Sequence, residues 1–428
     1  MAACRALHIS TQSQSGAREN PCNAREGWRL GTGMLLDSRN GLLRRRLWPL
    51  WLGGFLQSVG FWVPVEKLFE TEIGFDAADI GFVSAAYAAV VPLLEVPSGV
   101  LADRWSRRGV LLLATGALTV SALLGGLATD VPGYLLSALA LGGFFAMYSG
   151  TTEAAVYDAV REETGSGERF EREMGRIRLA ESLGLVSSAL AGGWLASALD
   201  TRATYFLTIP FGIAAMVVYL RFREPRLHKT GAEVPLSAHL VIGYRSLHRR
   251  LLPVVTLAVL TALLVQVLLE FGPLWLVALA VPAVWYGPYW AGLTSTLGLG
   301  GLLAGRLRLH RPVAAATTAA AMAGAGAVLA LPVGPVPAVA AQTALALLVV
   351  VTGIHVNRLL HDAVPSRVRA GVASAVSTVS WLVFVPFAVV IGLVGTGGGV
   401  VAAGGLVAGS AALAGGLLIW LAVSRRGG

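Results

Sequence analysis

Runs of about 18 to 25 predominantly apolar residues recur along the whole chain, each long enough to cross about 30 Å of hydrocarbon at about 1.5 Å per residue. Hydropathy places twelve of them, at 47–69, 78–101, 109–128, 133–157, 176–199, 203–221, 251–275, 283–304, 313–331, 336–357, 371–395 and 398–423. A chain of 428 residues that is 55% hydrophobic and 13% charged cannot bury that surface in one water-facing core. The expected fold class is therefore an all-α membrane protein with twelve transmembrane helices.

The formal net charge of +9 does not describe a nucleic-acid-binding face, because the arginines fall in short turns. They precede span 1 (Arg44, Arg45, Arg46) and follow span 2 (Arg104, Arg107, Arg108) and span 4 (Arg161, Arg169, Arg172, Arg176, Arg178). They return after spans 6, 8 and 10 and in the tail at Arg425 and Arg426, whereas the opposite turns carry only Lys67 and Arg202. The positive-inside rule then predicts a multi-pass protein of the cell membrane with both termini in the cytoplasm. Residues 1–41 read as a polar, disordered cytoplasmic tail that holds both cysteines, Cys4 and Cys22, so no disulfide framework or cysteine metal site is expected.

Short strings repeat in the same order in the two halves of the chain. Arg45, Arg46, Leu47 opens span 1 as Arg249, Arg250, Leu251 opens span 7, and Glu66 matches Glu270 at the same spacing. Gly99 to Arg104 has a worn copy in Gly301 to Arg306; Tyr157, Asp158, Ala159, Val160 resembles His361, Asp362, Ala363, Val364. Arg176, Ile177, Arg178 resembles Arg367, Val368, Arg369. This collinearity predicts two parallel six-helix bundles, 42–221 and 251–424, joined by a charged cytoplasmic linker over 222–250.

The turn after span 2 carries Gly99, Leu101, Asp103, Arg104, Arg107, Arg108 and Leu111 at the spacing G-x-L-x-D-R-x-G-R-R-x-x-L, with Ser106 in place of the second glycine. On these residues the chain resembles the major facilitator superfamily (MFS) over 42–423. The resemblance implies secondary transport by alternating access, with spans 1, 4, 7 and 10 around a central cavity. It also implies a conformational latch in which Gly99, Asp103, Arg104, Arg107 and Arg108 act with Asp158. The alternative is a salt bridge that only fixes topology. Serine in the glycine place leaves the loop shape open, since a left-handed turn costs it more.

Four acids are candidates for proton coupling. Glu95 lies about 12 Å up the helix from Asp103, and a carboxyl at hydrocarbon depth must be paired, hydrated or protonated. It serves either as a proton carrier or within the turn cluster. Glu153 belongs, by the resemblance, to the cytoplasmic half of the cavity. Glu66 and Glu270, near the outer ends of spans 1 and 7, either face water or form a paired acidic gate. Gln57, Gln266, His355, Asn357 and Trp381 are candidates for the substrate cavity. Arg178 and Glu181 stand one turn apart and neutralise each other. The small residues Gly184, Ser188, Ala189, Gly192 and Gly193 read as a packing seam, since the proline of the superfamily's antiporter motif is missing.

The expected function is proton-coupled export of an apolar or amphipathic small molecule by a monomer in the lipid bilayer. Uptake of a sugar or other metabolite is the alternative. No cofactor, metal or nucleic acid is implied, the proton gradient being the energy source. An intramembrane enzyme would need a convergent nucleophile and base or a metal cluster, and no spacing such as H-E-x-x-H occurs. A non-transporting sensor is a third option.

Overall fold

The computed structural model describes residues 41–166, 168–225, 251–304, 306–363 and 369–424, and among these there are helices and turns but no strand. The elements are α1 (41–57), a 3-10 turn (Val63–Val65), α2 (Glu66–Glu72), α3 (Ala77–Arg104), α4 (Arg107–Leu127), α5 (Val131–Thr164), α6 (Phe170–Ala198) and α7 (Thr201–Tyr219). They continue as α8 (Leu252–Phe271), α9 (Pro273–Ala278), a second 3-10 turn (Ala283–Trp285), α10 (Tyr286–Ala304), α11 (Pro312–Leu329), α12 (Pro335–Ala363) and α13 (Arg369–Ser424). Nine helices among the described residues are long and apolar enough to cross a membrane. The expected tail before residue 41 and the linker from 226 to 250 lie outside the described residues. Leu47–Gly428 forms one compact unit; of the preceding unit, 41–46 is described and is helical.

Helix starts are set by short polar side chains at the predicted turns. Asp76 caps α3 in a reciprocal box with Asp79, while Asp130 and Asp200 accept from the backbone N–H groups of Gly133 and Ala203. Gly165, at φ 75°, ends α5 in the left-handed conformation that glycine adopts without strain. The last two predicted spans run as one 56-residue helix, far beyond the roughly 20 residues needed for one crossing. Gly399, at φ 68° and ψ −170°, is the break inside it, one residue into the expected twelfth span.

Span 1 differs from its expectation as one helix. Its helical hydrogen bonding ends with Ser58 N–H on the Gly54 carbonyl, and Pro64 lacks the N–H that would continue the ladder. Free backbone donors at membrane depth must find partners within the protein. Gly60 N–H donates to Ser188 Oγ of α6 at 3.1 Å, and Phe61 N–H donates to Thr208 Oγ1 of α7 at 3.1 Å. In span 7 the division between α8 and α9 falls at Gly272 and Pro273, where the chain keeps helical dihedrals and Gln342 Nε2 donates to the Gly272 carbonyl at 3.3 Å.

Glycines set the close approaches between the earlier and later helices. A Cβ on Gly81 of α3 would sit 2.5 Å from the Ala388 carbonyl of α13, and one on Gly392 would sit 2.5 Å from the Ala77 carbonyl. Gly193 of α6 likewise meets the Ala283 carbonyl at 2.8 Å, ahead of α10. Gly184 and Gly192 press on the carbonyls of Phe55 and Phe61, so the small residues of span 5 do form a packing seam. At the far end of α3 the situation reverses: a Cβ on Gly99 would meet nothing within 4 Å. The bundle is therefore sealed where α3 begins and open-packed where it ends.

Candidate functional site

Lys67, in the first turn of α2, stands at the centre of a buried charge cluster. Its Nζ lies 2.7 Å from Glu270 Oε1 of α8, 3.2 Å from Glu70 Oε1 and 3.6 Å from Glu66 Oε1. Glu66 and Glu270, the pair matched by the internal repeat, thus meet at one ammonium contributed by the first half. The Lys67 side chain is 4% exposed and that of Glu270 13%, so this contact is shielded from water. Ser84 Oγ of α3 donates to Glu270 Oε1 at 2.8 Å, and Tyr134 OH donates to Glu66 Oε1 at 3.0 Å while touching Tyr205 OH at 2.9 Å.

One hydrogen-bonded chain links this cluster to a cavity. Gln266, one helical turn before Glu270, donates from Nε2 to Tyr87 OH at 2.6 Å, and Tyr87 OH reaches Glu270 Oε2 at 3.5 Å. Gln266 also lines a cavity of about 620 Å³ bounded by α8, α12 and α13. It extends to Asn357 and His361, the latter in the last turn of α12. Trp381 lines it as well, edge-on to Tyr87 with ring centres 6.2 Å apart. The hydroxyls of Thr261 and Ser380 on its wall donate to the carbonyls of Ala258 and Val376 of their own helices. The remaining lining adds the Ser377 hydroxyl and is otherwise largely aliphatic: Val265, Val349, Val350, Ile354 and Val376, closed by Phe384.

The other cavity candidates lie elsewhere. Gln57 is buried against α4, where its Oε1 accepts from Thr115 at 3.1 Å, and it does not line this cavity. His355 is half-buried on α12 and does not line it either. Among the acids, Glu95 is half-buried on α3 and makes no ion pair among the described residues. Glu153 is more than half exposed and pairs with Arg178 at 3.1 Å. Arg178 also holds Glu181 at 3.1 Å, and Glu181 accepts from Tyr148 OH at 2.5 Å, so this arginine joins two carboxylates where the sequence suggested one.

The basic turn between α3 and α4 forms a second cluster. Arg107, almost wholly buried, places Nη1 2.5 Å from Asp158 Oδ2 and 2.5 Å from the Ala154 carbonyl, and Nη2 3.5 Å from Asp103 Oδ1. Arg108 turns instead to the Leu220 carbonyl at 3.4 Å, and Arg104 ends α3. The Asp103 side chain is two-thirds exposed, in keeping with the empty space beside Gly99. Ser106 is extended, at φ −169°, and caps α4 by accepting from Gly109 N–H at 2.9 Å. The left-handed turn that would favour glycine is thus not made, which removes the cost attached to this departure from the motif. Glu224 fastens the turn by accepting from Ser106 Oγ at 3.1 Å and from Arg107 N–H.

The family model described as Major Facilitator Superfamily matches residues 50–388. The chain belongs to the major facilitator superfamily. A curated relative, an uncharacterized MFS-type transporter from Methanocaldococcus jannaschii, is 23% identical over 200 residues, which cover 46% of this chain. The match spans half, 50%, of that relative's length. Among solved structures, the nucleoside transporter NupG superposes with a TM-score of 0.69 at 14% identity, covering 89% of this chain and 98% of that one. The D-xylose-proton symporter gives 0.67 at 14%, covering 86% and 95%. A bacterial homolog to the human lysosomal transporter Spinster gives 0.66 at 16%, covering 90% and 94%. At these identities the likeness establishes the superfamily's helical membrane fold, and with it a multi-pass membrane protein.

Lys67 and Glu70 are the residues that sequence reasoning missed. The signal was present: the one lysine on a side that otherwise carries only Arg202, flanked by acids at positions 66 and 70, needs a partner if it is not in water.

Proposed function

We propose that this chain is a secondary active transporter that moves a small amphipathic organic molecule out of the cell in exchange for protons. It works by alternating access between two six-helix bundles, 42–221 and 251–424, in a twelve-span protein. The basic turns and both termini lie in the cytoplasm by the positive-inside rule. It acts as a monomer, with no cofactor beyond the proton gradient. The Lys67 end, closed by the Gly81 and Gly392 contact, is then the outer gate, and the arrangement described is the one facing the cytoplasm.

One observation carries the reading: Gln266 touches both the cavity and the Tyr87 hydroxyl that leads to Glu270. A molecule seated against Gln266 and Trp381 therefore changes the hydrogen bonding of the gate carboxylate. The Thr261 and Ser380 hydroxyls tied to their own helices, together with the aliphatic walls, favour an amphipathic cargo over a sugar, whose many hydroxyls would need free partners.

The test is flux of a panel of lipophilic dyes and of sugars through the full chain in proteoliposomes, with and without an imposed pH gradient. Gradient-driven movement of dyes toward the Lys67 side supports the proposal. Gradient-driven accumulation of sugars in the opposite direction replaces it with uptake, and a flux indifferent to the gradient removes proton coupling.

A further inference from the structure

The Lys67 cluster holds three carboxylates around one ammonium, and its members are not equivalent. Glu270 takes the shortest contact with Lys67 and also receives Ser84 Oγ and Tyr87 OH, so it is the carboxylate best supplied with donors. Glu66 receives Tyr134 OH, and its side chain is 20% exposed, which lets water complete its shell. Glu70 has neither advantage. Its side chain is wholly buried, Oε1 has only Lys67 at 3.2 Å, and Oε2 has no hydrogen-bond partner.

Among the described residues, the surrounding elements supply no further ion pair to it. Tyr87 of α3, Tyr134 of α5 and Tyr205 of α7 face the cluster as hydroxyls. Arg202 of α7 stacks over the Phe69 ring at 5.2 Å and donates to the Gly126 carbonyl, while Glu72 accepts from Thr201. One ammonium already committed to Glu270 cannot also neutralise a buried carboxylate with an unpaired oxygen. Leaving such an oxygen charged costs far more than leaving it neutral.

We infer that Glu70 holds a proton in this arrangement, and that this proton bolts the Lys67 end shut. This rests on the proton-coupled reading above and deepens it by naming the group that carries the proton. With Glu70 neutral, Lys67 belongs to Glu270 and ties α2 to α8. When the O–H bond of Glu70 breaks and the proton passes to water as hydronium, the new carboxylate competes for the same ammonium. The Lys67 to Glu270 contact weakens, and the gate is released. In export, the proton enters from the outer side while the gate is open and leaves toward the cavity side once it has closed.

Infrared difference spectroscopy of the purified full chain in lipid tests this directly, because a protonated buried carboxyl has a carbonyl stretch above the carboxylate range that shifts on deuteration. Wild-type protein at neutral pH is expected to show this band, and Glu70→Gln is expected to lose it. The variant is necessary because Glu173 also has a buried oxygen without a partner. An undiminished band in folded Glu70→Gln overturns the inference. Should that variant not fold, Glu173→Gln decides: a band at neutral pH that persists in it supports the inference, and a band lost with Glu173, or no band in the wild type, sinks it. These readings do not depend on flux, so failure of gradient-driven transport leaves them intact and overturns only the transport proposal.

Discussion

Lys67 Nζ lies 2.7 Å from Glu270 Oε1, and this buried contact joins the first helical leg of the chain to the seventh. Removing one partner of a buried pair strands the other, at a cost of about 3–5 kcal/mol. Lys67→Met should therefore destabilise the protein by that amount in detergent unfolding. Lys67→Met combined with Glu270→Met should recover part of the loss, because neither charge is then orphaned. Strict additivity of the two changes would show that the residues are not coupled.

Glu270→Gln keeps the shape of the side chain and removes its charge. Gradient-driven flux per folded protein in proteoliposomes should fall by about tenfold or more, which corresponds to about 1.4 kcal/mol, and thermal stability should fall by less than in Lys67→Met, because Lys67 keeps Glu66 and Glu70 within reach. Retained gradient response would exclude this carboxylate from coupling.

At the opposite end, Arg107 is the buried member of the basic turn and Arg108 is exposed. Arg107→Ala should cost about 3–5 kcal/mol of stability by stranding Asp158, whereas Arg108→Ala should cost at most about 1 kcal/mol. Thermal unfolding of both variants in the same detergent makes the comparison. Equal effects would mean that the Arg107 to Asp158 contact does not hold α4 to α5.

Ser106 stands where the superfamily motif has glycine, yet it caps α4. Ser106→Ala should destabilise by about 1 kcal/mol and Ser106→Gly by only a few tenths. Restoring the motif residue should bring no gain in melting temperature; a clear gain would show that the cap contributes nothing.

Gly81 faces a backbone carbonyl that cannot swing aside. Gly81→Val should disfavour the arrangement closed at the Lys67 end by about 1–3 kcal/mol. The readout is labelling of a reporter cysteine at Ser84, buried in the wild-type arrangement. Faster labelling in Gly81→Val/Ser84→Cys than in Ser84→Cys alone is the expected result, and equal rates would contradict it.

The all-helical class and the placing of most long apolar helices were legible because membrane crossing demands long apolar runs. Asp76, Asp130 and Asp200 mark helix starts within a few residues of those read from hydropathy alone. The site was only partly legible. Gln266, Asn357 and Trp381 do line the cavity, but Gln57 turns toward Thr115, because a hydropathy pattern does not tell which side of an apolar helix meets its neighbour. Glu70 was invisible for a different reason. It lies on α2, beyond the break in span 1 at Gly60 and Pro64, and that break could not be foreseen from span length.

That break has a mechanical consequence. The two peptide N–H groups it releases are held by Ser188 and Thr208, so the first leg is stapled to α6 and α7 beyond its own ladder. Bending there would strip both donors of their acceptors. In the alternating access proposed above, the amino-terminal helices would tilt as a single stiff lever, and the sliding would fall to the bare backbone bearings at Gly81 with Gly392 and at Gly193 with Ala283.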